Sequence, residues 1–402
     1  MACAYILDLL STTHGFRRNQ MKPCLNSWLL VFVLTTALSA APTSRLGGQT
    51  LTVLHSFSGS DGANPWAGLI LSSGRLYGTT FAGGGFGSGT VFAINTNGTG
   101  FTNLHNFNGN EGTGAFASLI VSGNTLYGTL WSGGVFKINM DGTGFTTLPV
   151  GVPPQGALIL SGNTLYGTGN EGGSAGWGSV FAVNRDGTGL TNLHNFAGPG
   201  SDGGEPVAGL ILSDQTLFGT TTDFSVGCGT VFAVNIDGTG FTNLHSFVCT
   251  DGAAPYASLI LSGTTLYGTT MGDFGAYYGT VFRVNMDGTG FTNLHTFAQP
   301  VDSQSYYSYT NSGGAAPYGG LILMGNRLYG TTTIGGSSGN GTVFVLKIDG
   351  TGFRMIHDFS NSDGAKPYGT LILSGNTLYG TTQKGGGFGP RHGVQSFHPT
   401  GT

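Results

Sequence analysis

Apolar positions along this chain come in short runs broken by glycine and small polar residues, and no segment sustains the 3.6-residue period of a helix. Residues 68–107 carry the whole pattern. "GLIL" is an apolar run, "SSGR" a tight turn and "LYGTT" a second run; after a glycine-rich loop come "TVFAIN", the turn "NGTG" and "FTNLHNF". Runs rich in Thr, Val, Phe and Tyr and punctuated by glycine predict a four-stranded antiparallel sheet. "GLIL" and "TVFAI" are apolar on both alternating faces, so each sheet has to be covered on both sides by its neighbours.

The unit recurs. "LYGT" or "LFGT" places an aromatic residue at Tyr77, Tyr127, Tyr166, Phe218, Tyr267, Tyr329 and Tyr379, and "GTGF" or "GTGL" turns begin at Gly98, Gly142, Gly187, Gly238, Gly288 and Gly350. Radial packing of four-stranded sheets covers both faces of each, which predicts an all-β β-propeller. An orphan strand, "LTVLHSF" (51–57), precedes the first copy, and the last copy, starting at "YGTLILSGNTLYGTT" (368–382), lacks its own. The counting therefore predicts seven blades of four antiparallel strands, closed by the N-terminal strand, which hides open edges. Expected blades are about 58–107, 108–150, 151–196, 197–247, 248–297, 298–359, and 360–402 plus 51–57. "RHGVQSFHPTGT" (391–402) matches "GTVFAVNIDGTG" only loosely, so a degraded, truncated or frameshifted terminus and a frayed seam are expected.

The signature "LILSGNTLYGTT…GGxxGxGTVFxxNxDGTGFTNLHxF", from residue 51 to about 389, resembles the Gloeobacter/Verrucomicrobia (GloVer) tandem repeat of secreted and surface "choice-of-anchor" proteins. The resemblance implies a bacterial exported protein and no catalytic residue. The chain departs from the anchored pattern, since no apolar, basic-flanked tail precedes Thr402.

Composition narrows the class. Glycine is 75 of 402 residues and charged residues are 8%, with a net charge of −4 and no Lys/Arg run, which argues against a nucleic-acid partner. Lys22, the apolar run Trp28 to Leu38 and small residues Ser39 to Ala41 have the layout of a secretory signal, and the run is too short to span a bilayer as a helix. The expected organisation is an over-extended start at 1–20, a signal peptide at 21–41 and a single propeller domain at 42–402. A monomer without a membrane span in the mature chain is expected.

Candidate chemistry is sparse. Cys228 and Cys249 lie symmetrically about the Gly238-Thr239 turn, so a two-residue loop would place them opposite each other as a cross-strand disulfide, the alternative being two free buried thiols. Histidines recur at His55, His105, His194, His245, His295 and His357 on a strand where Phe101, Asn103, His105 and Phe107 are expected to share a face. Successive copies lie one blade apart, too far to ligate one metal, so a structural hydrogen bond is expected. Asp61, Asp202, Asp251, Asp363 and Glu111 precede glycine in the "DGAxP" loop, where a carboxylate caps its own turn; one per loop does not supply the oxygens calcium needs. "GGSAG" (172–176) and "GGSSG" (335–339) match a hydrolase elbow, and "GPGSDG" (198–203) a dinucleotide loop, but none opens a helix. No metal or cofactor is expected.

The "SGNT" and "DGTG" turns are near-constant, whereas the loops between second and third strands vary and should emerge on the same face as the blade-to-blade connections. Variable loops on a rigid scaffold are where binding residues gather. The aromatic candidates are Trp66, Phe86, Trp131, Trp177, Phe274, Tyr277, Tyr278, Tyr306, Tyr307 and Tyr309, suited to a glycan or protein surface. The competing reading of each ring is that it covers loop glycine. The sequence thus points to an exported, non-catalytic binding or cell-surface module. The alternatives are a polysaccharide-active propeller enzyme (glycosidase or lyase), with Asp223, Asp273 or Glu171 as acid and base, and a purely structural envelope repeat.

Overall fold

A computed structural model of the protein describes residues 29–35, 50–132, 134–223, 227–272, 278–302, 309–385 and 392–397; at 29–35, 50, 301–302, 309 and 392–397 it describes the backbone alone. Every element among them is a strand. The first blade is built of Ile70–Ser72, Arg75–Thr80, Thr90–Asn95 and Thr102–Asn106, hydrogen-bonded in chain order. Five further four-stranded antiparallel sheets repeat this plan, the last running from Ile322–Met324 to Arg354–Asp358.

Six four-stranded blades are therefore present, not the expected seven. The last "LYGT" copy, Thr377–Thr382, lies instead in a five-stranded sheet. There Thr50–Phe57 pairs antiparallel with His392–Phe397, Leu51 opposite Phe397 and Phe57 opposite His392. What the repeat pattern did not contain is the strand Leu29–Thr35, which pairs antiparallel with Thr50–Phe57 and parallel with His392–Phe397. "LLVFVLT" was read as the apolar part of an export signal; its branched and aromatic residues are also good strand formers, and an outer strand edge is a template for one more strand.

The constant residues of the unit have distinct packing duties. Gly78 of "LYGT" lies directly opposite Phe92, and a Cβ there would come within 2.6 Å of that ring. Glycine is needed because the phenylalanine of the facing strand lies across it. The same pair recurs as Gly128/Phe136, Gly167/Phe181, Gly219/Phe232, Gly268/Phe282 and Gly330/Phe344. In the five-stranded sheet Gly380 faces Gln395 instead. Between blades the apolar faces meet: Tyr77, Val91 and Phe107 of the first pack on Leu126, Phe136 and Ile138 of the second. The next threonine links blades. Thr129, Thr168, Thr220, Thr269 and Thr331 each donate from the hydroxyl to a main-chain carbonyl of the following copy, at Gly156, Ala208, Pro255, Gly319 and Pro367.

One expectation about the outer strand fails. Asn103 pairs with Phe92 and His105 with Val91, so Leu104 is an extra, bulged residue. A bulge resets the alternation, which puts His105 and Phe107 on the face opposite Phe101 and Asn103. Phe101 accordingly packs toward Phe57, whereas Phe107 packs toward Phe136.

Candidate binding site at the mouth of the central channel

Just before each innermost strand the chain passes a short segment such as "PWAGL" (65–69) or "PYASL" (255–259). Seven of these segments surround one cavity of about 340 Å³. Small residues, Ala67, Gly68, Ser118, Gly156, Gly209 and Ser258 among them, form its wall. The residue after the proline position varies from copy to copy: Trp66, Phe116, Gln155, Val207, Tyr256, Tyr318 and Tyr368.

A constant backbone frame holds this variation. The residue two before each of these positions gives its carbonyl to the residue that opens the second-to-third loop of the same copy. Phe81 N–H donates to Asn64 O, Trp131 to Gly114, Asn170 to Pro153, Thr222 to Glu205, Met271 to Ala254, Thr333 to Ala316 and Gln383 to Lys366, at 2.9–3.3 Å. Asn64, Glu205, Ala254, Ala316 and Lys366 all sit at φ between 52° and 55°, a left-handed conformation that is costly for a residue with a side chain and directly before proline. Such strain persists only where surroundings over-determine it, here the double anchoring of the loop pair. Each copy thereby ties its variable positions together through the main chain.

Around the mouth these side chains are sorted. Tyr256 stacks on Tyr318 (4.7 Å between ring centres), Tyr318 meets Tyr368 edge-on (5.0 Å), and Trp66 lies 6.1 Å from Tyr368. Trp66 also stacks on Phe81 and Phe116 (4.6 and 4.7 Å), and Phe116 reaches Trp131 (5.0 Å). Burial lifts the Tyr256 hydroxyl to about 12, with the Glu205 charge adding to it, and burial raises Tyr318 and Tyr368 as well. These hydroxyls stay protonated and able to donate. The Trp66 Nε1 donor is buried without a partner among the described residues.

Copies three and four contribute no ring to the lining, only Gln155 and Val207 at the variable position, and their Asn170, Glu205 and Asp223 lie outside it. Asp223 is 4% exposed, and one of its carboxylate oxygens has no partner among the described residues. Burial raises it to about 6, helped by the Glu205 and Asp202 charges and opposed by hydrogen bonds from Gly204 and Thr221.

The other repeated groups lie away from the mouth and hold the connections. His55 Nε2 donates to Asp61 at 3.0 Å, since a carboxylate can only accept, and the same carboxylate caps its turn by accepting the Ser58 N–H. His105/Glu111, His194/Asp202, His245/Asp251 and His357/Asp363 repeat the pair at 2.8–3.1 Å. His55, His105, His194, His245 and His295 each stack on a phenylalanine of the next copy, as His245 does on Phe291 at 3.5 Å. Among the described residues no three His, Cys, Asp or Glu side chains converge where a metal could bind. Cys228 and Cys249 are joined by a disulfide, Cα atoms 5.2 Å apart, just beyond the ends of Thr230–Asn235 and Thr242–Ser246.

Of the aromatic candidates, Trp66 and Trp131 line the cavity. Phe86 is 68% exposed on its loop and does not line it. Trp177 is tucked over Gly198 and Gly204, and Tyr278 is buried against Val281 and Phe297. Tyr309 opens the strand Tyr309–Ala315, while Phe274, Tyr277, Tyr306 and Tyr307 lie outside the described residues, as does Asp273. Glu171 is exposed. The sequence reading missed Phe81, Phe116, Tyr256, Tyr318 and Tyr368. Their signal was present: one position after the proline changes freely inside an otherwise constant motif.

The fold and the mouth define a β-propeller repeat protein with a variable face around its axis. The chain belongs to the Gloeobacter/Verrucomicrobia repeat family, whose model matches residues 43–152, 132–308 and 300–395. No curated protein matches it. Among solved structures it is similar to the extracellular domain of a hybrid two-component system protein from B. thetaiotaomicron, at 12% identity and TM-score 0.57, covering 86% of this chain and 39% of that one. A second structure of the same B. thetaiotaomicron extracellular domain, there described as a one-component system, matches at 12% identity and TM-score 0.55, over 83% of this chain and 38% of that one. At such identity the likeness concerns the fold alone.

Proposed function

We propose that the protein is an exported binding module that takes a carbohydrate at the mouth of its channel. The observation that carries this is the continuous aromatic arc Tyr256–Tyr318–Tyr368–Trp66–Phe116–Trp131, with the amide of Gln155 in the same lining. Flat rings match the apolar faces of pyranose sugars, and tyrosine hydroxyls and amides match their hydroxyl edges, at low entropy cost. In this reading the five-stranded sheet serves as a seventh blade, so that seven copies ring the ligand, and export accords with the extracellular setting of the structural neighbours.

A second reading, a carbohydrate-cleaving enzyme, draws on Asp223, a buried carboxyl raised to about 6 beside Glu205. A glycan array on the full chain, run with an assay for released reducing ends, separates the two. Binding without release supports the module; release moves the assignment to Asp223; silence in both removes the carbohydrate reading.

A further inference from the structure

The second copy of the repeat is shortened twice, and both deletions open on the same side. Only residues 131–133 separate its second and third strands, where residues 81–89 do so in the first blade. Its outer strand is cut to Thr146–Leu148, and Pro149 stands where the other copies carry the histidine. The missing chain leaves a cleft of about 540 Å³, bordered by Asn110, Glu111, Ser132, Thr147, Pro149 and Val150. Trp131, 44% exposed, belongs to the walls of both this cleft and the channel mouth.

We propose that the cleft is a second subsite in which a carbohydrate chain bound at the mouth continues outward over Trp131, so that the protein takes an internal stretch of a polysaccharide. This rests on the carbohydrate reading of the mouth. Two features select the occupant. Trp131 is common to both walls, so a chain that leaves the mouth across this exposed ring meets the cleft next. The cleft border offers neutral amide and hydroxyl groups, its one carboxylate, Glu111, being engaged by His105. A border with no cation and an occupied anion suits a neutral, hydroxyl-rich chain rather than a charged one. A pocket closed at the mouth would take chain ends or small sugars; one that runs on toward the rim takes a chain.

The test is calorimetric titration with cello-, chito-, manno- and xylo-oligosaccharides from disaccharide to octasaccharide, on the wild type, on Trp66→Ala at the mouth, and on Asn110→Trp, which fills the cleft from an exposed position. Affinity should rise at least tenfold with chain length. Asn110→Trp should erase that rise while leaving the shortest bound sugar unaffected, and Trp66→Ala should weaken every length. If affinity is already maximal for the shortest sugars and Asn110→Trp changes nothing, the subsite is wrong and the mouth reading stands. If no oligosaccharide binds, or a library of extended peptides binds in their place, both fall. Denaturation midpoints and circular dichroism matched to the wild type verify that each variant is folded.

Discussion

The hydroxyl of Thr381 donates to the main-chain carbonyl of Ala67 at 3.0 Å, across 314 positions of sequence. It is the bond that Thr129, Thr168, Thr220, Thr269 and Thr331 make to the copy that follows each of them, made here from the last copy back to the first. Local threonine chemistry thus closes the ring independently of the outer strands. Thr79 is the exception: it is buried and its hydroxyl has no partner among the described residues, and the segment it faces has Ala115 where the other copies have proline.

Thr381→Val should lower stability by about 1–3 kcal/mol, because the Ala67 carbonyl loses its donor in a buried setting. Thr79→Val, the same change of shape, should be neutral or slightly stabilising, since it removes an unsatisfied hydroxyl. Urea unfolding midpoints of the two variants measure the difference.

Acid sensitivity follows from the histidine pairs. At Asp61 burial opposes ionisation, but the hydrogen bond from His55, those from Ser58 and the His55 charge outweigh it and leave the carboxyl below its usual 3.8. Asp363 is lowered through His357 and Ser360 in the same way, again against burial. A depressed carboxyl stabilises the fold above its unfolded pKa, and that contribution is lost as pH falls through the folded value. These two contributions are therefore complete above pH 4 and disappear below it.

His295 behaves differently. The aspartate position of its loop is Gly313, and burial pushes the ring down to about 4. A histidine kept neutral in the fold destabilises it as pH drops below the unfolded value of 6.5, so stability begins to fall there and goes on falling until the folded ring titrates. A Cβ at Gly313 would meet nothing closer than Phe353 at 3.7 Å. Gly313→Asp should supply the missing carboxylate, raise the His295 titration point in an NMR pH series by a unit or more and shift the acid limb downward.

Gly268→Ala should be destabilising by about 1–3 kcal/mol, because its Cβ would lie 2.5 Å from Cζ of Phe282 and neither strand can yield. The exposed turn glycine Gly263 has open space but φ 60°, so alanine there costs about 1 kcal/mol through backbone strain alone. Thermal unfolding of both variants separates packing from conformation.

Breaking the Cys228–Cys249 bond by Cys228→Ser with Cys249→Ser should cost about 3 kcal/mol, the chain-entropy value for a loop of this order. Dithiothreitol should lower the wild-type midpoint by the same amount and leave the double variant unchanged.

Strand positions, turns and the repeat were legible because each is written within a few residues: "LYGT", "TVFAVN" and "DGTG" carry their own periodicity and glycines. The His–carboxylate link was not, although both residues were noticed. His55 and Asp61 meet only because the intervening turn reverses the chain. The bulge at Leu104 was equally hidden, since nothing in "FTNLHNF" marks an unpaired residue until its partner strand is known. The mouth was missed for a different reason: Tyr256, Tyr318 and Tyr368 are half-buried near the axis, not displayed on the variable loops. Closure brings the last copy's Tyr368 beside the first copy's Trp66, which no local window contains.

A sugar held by the aromatic arc at the channel mouth is reported directly by tryptophan fluorescence. Titrating an array-positive oligosaccharide into the wild type should shift the emission, because Trp66 and Trp131 form part of the arc. In Trp66→Phe with Trp131→Phe the shift should vanish, and Tyr256→Ala with Tyr318→Ala should weaken binding at least tenfold while the protein stays folded. Unchanged affinity in the folded tyrosine variant would contradict the account.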